Sequence, residues 1–394
     1  MNSVAVVPLD IHKKFSVAAP MTWEGKVLQK VRIAHGDKGL MRNFFRQFPE
    51  GTDVVMEATF NWPWVADMAI EAGLCPHLAH PPRAREMAKG MAKSDKKDAV
   101  FDGRLWLAGG DVFPEAYLAP PEVRGLRLLL RTRLLFVKIR TMLKNTIHGQ
   151  LFRLGILLEG EERVSDLFSF KGRRILEKIE LPKRERYVLE EKLEQIDNLN
   201  RHIERIEEEA RKELKIDARA EILDSLPGVG KILAHTILAE IGELKRFADG
   251  RALAAYAGLL PLSNESAEKD FGSKTSKMCN HFLRLAALEA VTGAIETSRR
   301  MKSLHARVRA KNRKMPGKAR VAVAREIMEL VYLLLKKNER YKENRPERPG
   351  SKRQKVSGKE ESLKEFLIRE RNRPHRASPV CLCVGSHKES KTDG

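Results

Sequence analysis

The order of short apolar runs between residues 3 and 79 constrains this chain most. Residues 3–9 (SVAVVPL) form a Val-rich run, and two β-like runs follow at 15–20 and 26–34. A helical pattern comes next, with Leu40, Met41, Phe44, Phe45 and Phe48 at helical spacing. Residues 53–58 (DVVMEA) are again β-like, WPWVADMAIEAG has helical periodicity with a stop at Gly73, and 74–79 is a last short run. Three strands, a helix, a strand, a helix and a strand predict an α/β domain with a mixed sheet. Beyond the Pro81–Pro82 pair, a basic, Ala-rich helical stretch carries Ser94, Asp95 and Asp98.

Four acids hold suggestive places in this order. Asp10 is expected to follow the first strand, and Glu57 to end the fourth. Asp95 and Asp98 are three apart and share one face of a helix. Converging carboxylates are hard oxygen ligands, suited to two Mg²⁺ ions or to Mn²⁺. Such a pair of ions activates an attacking oxygen and stabilises the leaving oxygen of a phosphodiester. Taken singly, each acid reads equally as a turn residue, a helix cap or a surface charge.

The rest of the chain reads as helical. Residues 122–158 lack Pro, and Arg124, Arg127, Arg131 and Lys138 fall on one stripe. Acids are nearly absent there, which favours phosphate contact over a face of ion pairs. In 183–215, Leu189, Ile196, Leu199, Ile203, Ile206 and Ala210 follow a coiled-coil seam that Lys192 interrupts. An intramolecular hairpin and a dimer contact both fit that seam. Residues 222–242 contain Leu-Pro-Gly-Val-Gly-Lys, a Gly-rich hairpin feeding a helix. Gly228, Gly230 and Lys231 would there present backbone N–H groups and a cation to a DNA phosphate. The spacing is not that of a P-loop, and an ordinary helix–helix turn fits as well.

A polar loop, 261–277, holds Ser263, Ser266, Ser273 and Ser276 among Lys269, Lys274 and Lys277. A serine hydroxyl among lysines can attack a phosphodiester, but spacing does not select which one. Residues 318–341 form an amphipathic helix. Residues 342–394 are rich in Lys, Arg, Glu, Pro and Ser and are expected to be a disordered basic tail.

Charge and cysteines narrow the class. The 394 residues include 74 Lys plus Arg against 53 Asp plus Glu, a formal charge of +21, which points to a nucleic-acid partner. No apolar stretch reaches the ~18 residues of a spanning helix, and the N-terminus lacks the basic start of a signal peptide. Four cysteines, with Cys381 and Cys383 in the tail, support neither a disulfide framework nor a zinc site. The expected compartment is reducing cytoplasm.

LDIHK (9–13), MEATFNWPW (56–64), KSDKKDA (93–99), RLLLRTR and KNTIHGQL in the middle segment, and AGLLP (257–261) resemble the DEDD transposases of the insertion sequence 110 family. The resemblance spans about 3–341. It implies a RuvC-like domain of the ribonuclease H fold at 1–118, a helical and coiled-coil arm at 119–217, a mostly helical transposase domain at 218–341 and the tail at 342–394. The family's four acids fall on Asp10, Glu57, Asp95 and Asp98. Its nucleophilic serine falls on Ser266, with Ser263 as a fallback, and Ser276–Lys277 and Leu283–Arg284 keep the family's order. Departures are Pro8, Leu9, Phe60, Ala267 and Met278–Cys279.

The resemblance further implies Mg²⁺ as cofactor and DNA, a structured non-coding guide RNA and further copies of the chain (a dimer or tetramer) as partners. It places the protein with the nucleoid of a bacterium or archaeon. The function expected is a DNA transposase/recombinase. The rivals are a metal-dependent junction nuclease that uses water and an inactive nucleic-acid-binding scaffold.

Overall fold

A computed structural model describes residues 4–88, 99–109, 112–157, 164–213, 217–260 and 278–343. The chain divides into two compact units, the first ending at Ala119 and the second beginning at Pro120.

The first unit is built on a six-stranded sheet. Its strands are β1 (Val6–Ile11), β2 (Phe15–Ala18), β3 (Val31–Ala34), β4 (Asp53–Glu57), β5 (Cys75–Ala79) and β6 (Glu115–Ala116). They lie in the order β3-β2-β1-β4-β5-β6. β1 pairs parallel with β4 and β4 parallel with β5, while β2, β3 and β6 join antiparallel. The mixed sheet is therefore as the run order predicts, except that β2 and β3 are shorter than their apolar runs. The two-residue β6 has too little sequence to leave a periodic signal.

Side-chain alternation sends successive residues to opposite faces. Val7, Leu9, Ile11, Val54 and Met56 join a core with α1 (Lys38–Phe45) and α2 (Trp62–Glu71). Val6, Val55 and Ala79 face the other way, against Phe113 and the half-buried Val100, Leu105 and Trp106. The last three belong to α4 (Ala99–Leu107), which packs on β1 and β4. α3 (Pro81–Met87) follows β5 and opens on the Pro pair, where the missing N–H groups need no helical partner.

One glycine sets how closely α4 lies on the sheet. A Cβ at Gly103 would come within 2.7 Å of Met21 Sδ and 2.8 Å of the Pro8 ring. Pro8 sits inside central β1, an unusual place for a residue without an N–H. Its carbonyl still accepts from the Ala19 N–H at 3.0 Å, and its ring forms the floor on which Gly103 rests.

The second unit is helical throughout its described residues. α5 (Pro121–Arg153) and α7 (Lys183–Glu213) pack along each other, with α6 (Phe170–Lys178) covering their far end. The heptad positions Leu189, Ile196, Ile203 and Ala210 are all buried. Leu189 and Ile196 meet Ile147 and Leu151 of α5, while Ala210 meets Leu130 of α5 and Ala239. The seam thus packs within one chain. Lys192 does not simply interrupt it: its ammonium donates to Gln150 Oε1 on α5 at 2.9 Å.

The remaining helices are α8 (Ala218–Asp224), α9 (Lys231–Ile241), α10 (Gly250–Tyr256), α11 (His281–Thr297), α12 (Arg299–Lys311) and α13 (Gly317–Lys337). They enclose the largest core, to which α13 contributes a run from Val323 to Leu334. α13 ends where Asn338 takes a left-handed conformation, φ 55°. Among the described residues no helix is long and apolar enough to cross a membrane.

Candidate functional site

The acids of the first unit are placed by strand register. Val6 pairs with Asp53, Pro8 with Val55 and Leu9 with Met56. One step further along these parallel strands stand Asp10 and Glu57, on the same face as Pro8 and Val55. Asp10 therefore lies inside β1 rather than after it, and Glu57 ends β4 as expected. Both are half-buried. His12, two residues along, brings its Nε2 to 3.1 Å from Asp10 Oδ2.

This face belongs to α4. The helix passes over Pro8 at Gly103, so its first turn lies toward the carboxyl ends of β1 and β4. Asp102 sits in that turn and is 6% exposed. Burial pushes its carboxyl up to about 7, reinforced by the charges of Glu57 and Asp10. Burial likewise raises Glu57, with Asp10 adding to the rise and Arg85 of α3 opposing it. Three carboxylates thus repel one another across this edge, the electrostatic condition that a bound cation relieves.

Asp95 and Asp98 lie outside the described residues. Among the described residues no three His, Cys, Asp or Glu side chains stand close enough together to hold a metal ion. What Asp10 and Glu57 provide is the donor chemistry of a hard-cation site, with two carboxylates on adjacent strand ends. Sequence reasoning missed Asp102 and His12. The available signal for Asp102 was its place one helical turn beyond Asp98.

At its other end α4 is anchored by a second polar group. His77 of β5, 4% exposed, donates through Nε2 to Asp53 Oδ1 at 2.9 Å and through Nδ1 to Glu115 Oε1 at 3.2 Å. Trp106 of α4 lies 3.9 Å from the imidazole ring and donates its indole N–H to Asp53 Oδ2 at 3.3 Å. Burial opposes a charge on His77, but the hydrogen bonds to Asp53 and Glu115 outweigh it and lift the imidazole to about 9.

The basic stripe of α5 divides. Lys138 is exposed and Arg124 half-buried. Arg127 and Arg131 are held within the protein. Arg131 donates through Nε and a terminal N–H to the two carboxylate oxygens of Glu240 at 2.7 and 2.8 Å. Arg127 donates to the carbonyls of Ala239 and Glu240 at 2.7 and 3.1 Å. Burial lowers the Arg127 guanidinium. The same burial acts on Arg131, where the Glu240 carboxylate more than compensates and raises it.

The Gly-rich hairpin lies between α8 and α9. Gly228 has φ +81°, and a Cβ there would come within 2.0 Å of the Ala290 carbonyl of α11. Gly293 faces it, with Gly228 Cα 2.9 Å from where its own Cβ would stand. Gly228 thus serves close packing of the hairpin on α11. Gly230 caps α9, and both it and Lys231 are exposed. Ser263, Ser266, Lys269 and Lys277 lie outside the described residues, as do Cys381 and Cys383. The two ends of the segment that carries Ser266 are described. α10 ends at Tyr256 and α11 is capped by Asn280, whose N–H donates to the Tyr256 carbonyl at 2.7 Å.

An acidic strand edge on an α/β unit, joined in sequence to a basic helical unit, marks a protein that processes nucleic acid. Comparison with known proteins makes this specific. A model for DEDD-type IS110 transposases, described as "Transposase", matches residues 7–155. A second, described as "Transposase IS116/IS110/IS902 family", matches residues 220–306. The chain belongs to the IS110 family of transposases. It is 26% identical over 258 residues to a probable family 20 transposase of Pseudomonas aeruginosa, covering 65% of this chain and 74% of that protein. It is 29% identical over 227 residues to the transposase for insertion sequence element IS1111A of Coxiella burnetii, covering 56% and 61%. A stretch of 84 residues is 40% identical to the mini-circle putative transposase for IS117 of Streptomyces coelicolor, a fifth of each chain. The family implies DNA as the partner, and its DEDD type points to dependence on a divalent metal.

Proposed function

We propose that the chain is the recombinase of an insertion sequence and moves it by metal-assisted, serine-dependent cutting and rejoining of DNA strands. The supporting observation is the placement of Asp10 and Glu57 in step on one sheet face, with the buried carboxyl of Asp102 beside them. Asp10, Glu57, Asp95 and Asp98 would hold Mg²⁺ or, equivalently, Mn²⁺. When bound, the cation supplies Lewis-acid stabilisation of charge on the phosphate oxygens.

The chain's own residues do the rest. The acids of the strand edge orient the scissile phosphate. The Ser266 hydroxyl attacks phosphorus, a bond from its oxygen to phosphorus forms, and the bond to the departing deoxyribose oxygen breaks. That oxygen takes up the proton that the serine gives away. The phosphoserine link retains the ester, so a second strand's hydroxyl can rejoin by the reverse exchange. Lys138, Lys231, Lys269, Lys277 and Arg124 neutralise phosphates along the strand. Arg127 and Arg131 add positive charge that Glu240 only half cancels. A structured non-coding RNA from the element's flank supplies sequence specificity by base pairing, and the working assembly is a homo-oligomer.

Denaturing electrophoresis tests this. The protein is incubated with Mg²⁺, DNA spanning the element's ends and the flanking transcript. A covalent protein–DNA band is expected from the wild type and from neither Ser266→Ala nor Asp10→Asn. Cleavage that survives Ser266→Ala without the band would instead identify a water-using junction nuclease. A wild type that neither cleaves nor forms the band, with both variants like it, would leave only the scaffold reading.

A further inference from the structure

The second unit contains a buried carboxylate that the proposed chemistry does not use. Glu240, in the last turn of α9, is 1% exposed. A carboxylate taken so far from water is strongly destabilising unless its charge and its lone pairs are matched. Here they are matched from α5 and from the residue that caps α11. Arg131 of α5 grips both oxygens. The Asn280 side-chain amide donates to Oε2 at 2.8 Å, and the same nitrogen lies 3.2 Å from the Tyr256 hydroxyl. Arg127 fastens the carbonyls of Ala239 and Glu240 to α5.

Two of these partners hold a particular place in the chain. Tyr256 is the last residue of α10, and Asn280 caps α11 by accepting from the Leu283 N–H at 3.0 Å. They stand 24 positions apart and are joined by side chain and backbone alike. Arg284, in the first turn of α11, donates to the Gly258 carbonyl. Ala257 and Leu259 anchor the outgoing strand of chain in the core. Phe282 lies under the Arg131 guanidinium at 4.4 Å. The contacts of Tyr256, Gly258, Asn280 and Arg284 therefore tie together the exit and the re-entry of one segment, the one that carries Ser266. Closing a loop of this length costs conformational entropy, and a buried polar network specifies one closure geometry where an apolar contact would permit several.

We propose that Glu240 is a positioning residue for strand transfer: through Asn280 and Tyr256 it fixes the two ends of the Ser266 segment. The inference rests on the reading of Ser266 as nucleophile. Loosening the ends should slow the chemical step while leaving the hold on DNA in place, because Asn280 and Tyr256 are not among the groups proposed to neutralise phosphates.

The test uses the full chain with Mg²⁺, DNA spanning the element's ends and the flanking transcript. Asn280→Ser keeps a capping oxygen for α11 but has no donor that reaches Glu240. Tyr256→Phe removes only the hydroxyl. Glu240→Gln is measured as well, with the other two variants deciding the outcome if it fails to fold. At saturating DNA the rate of covalent-band formation should fall by roughly 10–100-fold, by analogy with the loss of hydrogen-bonded partners behind metal ligands. DNA affinity should stay at wild-type values for Asn280→Ser and Tyr256→Phe, and both should remain folded, with Asn280→Ser melting lower because Glu240 loses one buried donor. Wild-type band rates in both would overturn the inference, as would a loss of rate matched by an equal loss of DNA affinity. Ser266→Ala is run alongside. A covalent band from that variant would overturn the serine reading itself, and is distinguishable because it appears whatever Asn280→Ser does.

Discussion

Asp102 in the α/β unit and Glu240 in the helical unit are both buried carboxylates, and they are treated in opposite ways. Asp102 is 6% exposed, and its described electrostatic neighbours are two further acids, so its proton is held up to about 7. Glu240 is 1% exposed and is met by Arg131, Asn280 and the nearby Arg127. Burial is the same, so the difference lies in the partners. An acid supplied with internal partners serves the architecture. An acid buried against other acids stores repulsion, which a cation from outside can discharge. The contrast separates the edge proposed to take a cation from a cluster whose carboxylate is already matched from within.

The comparison can be broken at several points, and the largest effect is on chemistry. Asp10→Asn should reduce strand cleavage by at least ~10³-fold, or about 4 kcal/mol of barrier, with DNA binding retained. Gel assays of cleavage and binding on the same preparation check this. Next is the stability of the helical unit. Glu240→Ala leaves Arg131 and Asn280 facing a void and should destabilise the protein by about 3–5 kcal/mol, read by urea titration. Glu240→Ala with unchanged stability would remove the idea of a completed cluster.

Asp102→Asn should act in the other direction. Because the folded carboxyl is raised from 3.8 to about 7, the fold binds a proton that the unfolded chain releases. Stability from this group is present at low pH, is lost as pH rises from 3.8 through about 7, and is flat above that. The gap sets an upper limit near ~4 kcal/mol, and hydration of the edge brings the expected effect to about 2 kcal/mol. Metal-free Asp102→Asn should therefore melt higher than the wild type at pH 8 and equally at pH 4.

The smallest effect tests the far end of α4. His77 is raised from 6.5 to about 9, so its contribution is whole below pH 6.5 and lost as pH climbs through about 9. Exposed Glu115 weakens one partner, and about 1 kcal/mol is expected. A melting-temperature profile from pH 6 to 10 that flattens in His77→Gln checks it.

Legibility in the sequence followed the range of the interaction. β1, β4 and β5 could be read because alternation of apolar residues is local, and strand order then put Asp10 and Glu57 on one face. The seam of Leu189 and Ile196 was visible for the same reason, while its partner on α5 was not. The basic stripe shows the limit. Acids are nearly absent within 123–158, so Arg127 and Arg131 looked free for phosphate. Their carboxylate is Glu240, 109 positions beyond Arg131. Gly228 is a similar case: the motif revealed a hairpin, but the reason for a glycine is the α11 carbonyl it touches. Asp102 was hidden by its neighbours, since Asp95 and Asp98 already satisfied the family pattern.

The function proposed for the α/β unit depends on a divalent-cation site built on Asp10 and Glu57. Calorimetric titration of the full chain with Mn²⁺ at pH 8, in wild type and in the Asp10→Asn/Glu57→Gln double variant, tests it most directly. Saturable binding is expected from the wild type and not from the double variant. Equal binding by the two proteins, or none by either, would contradict it.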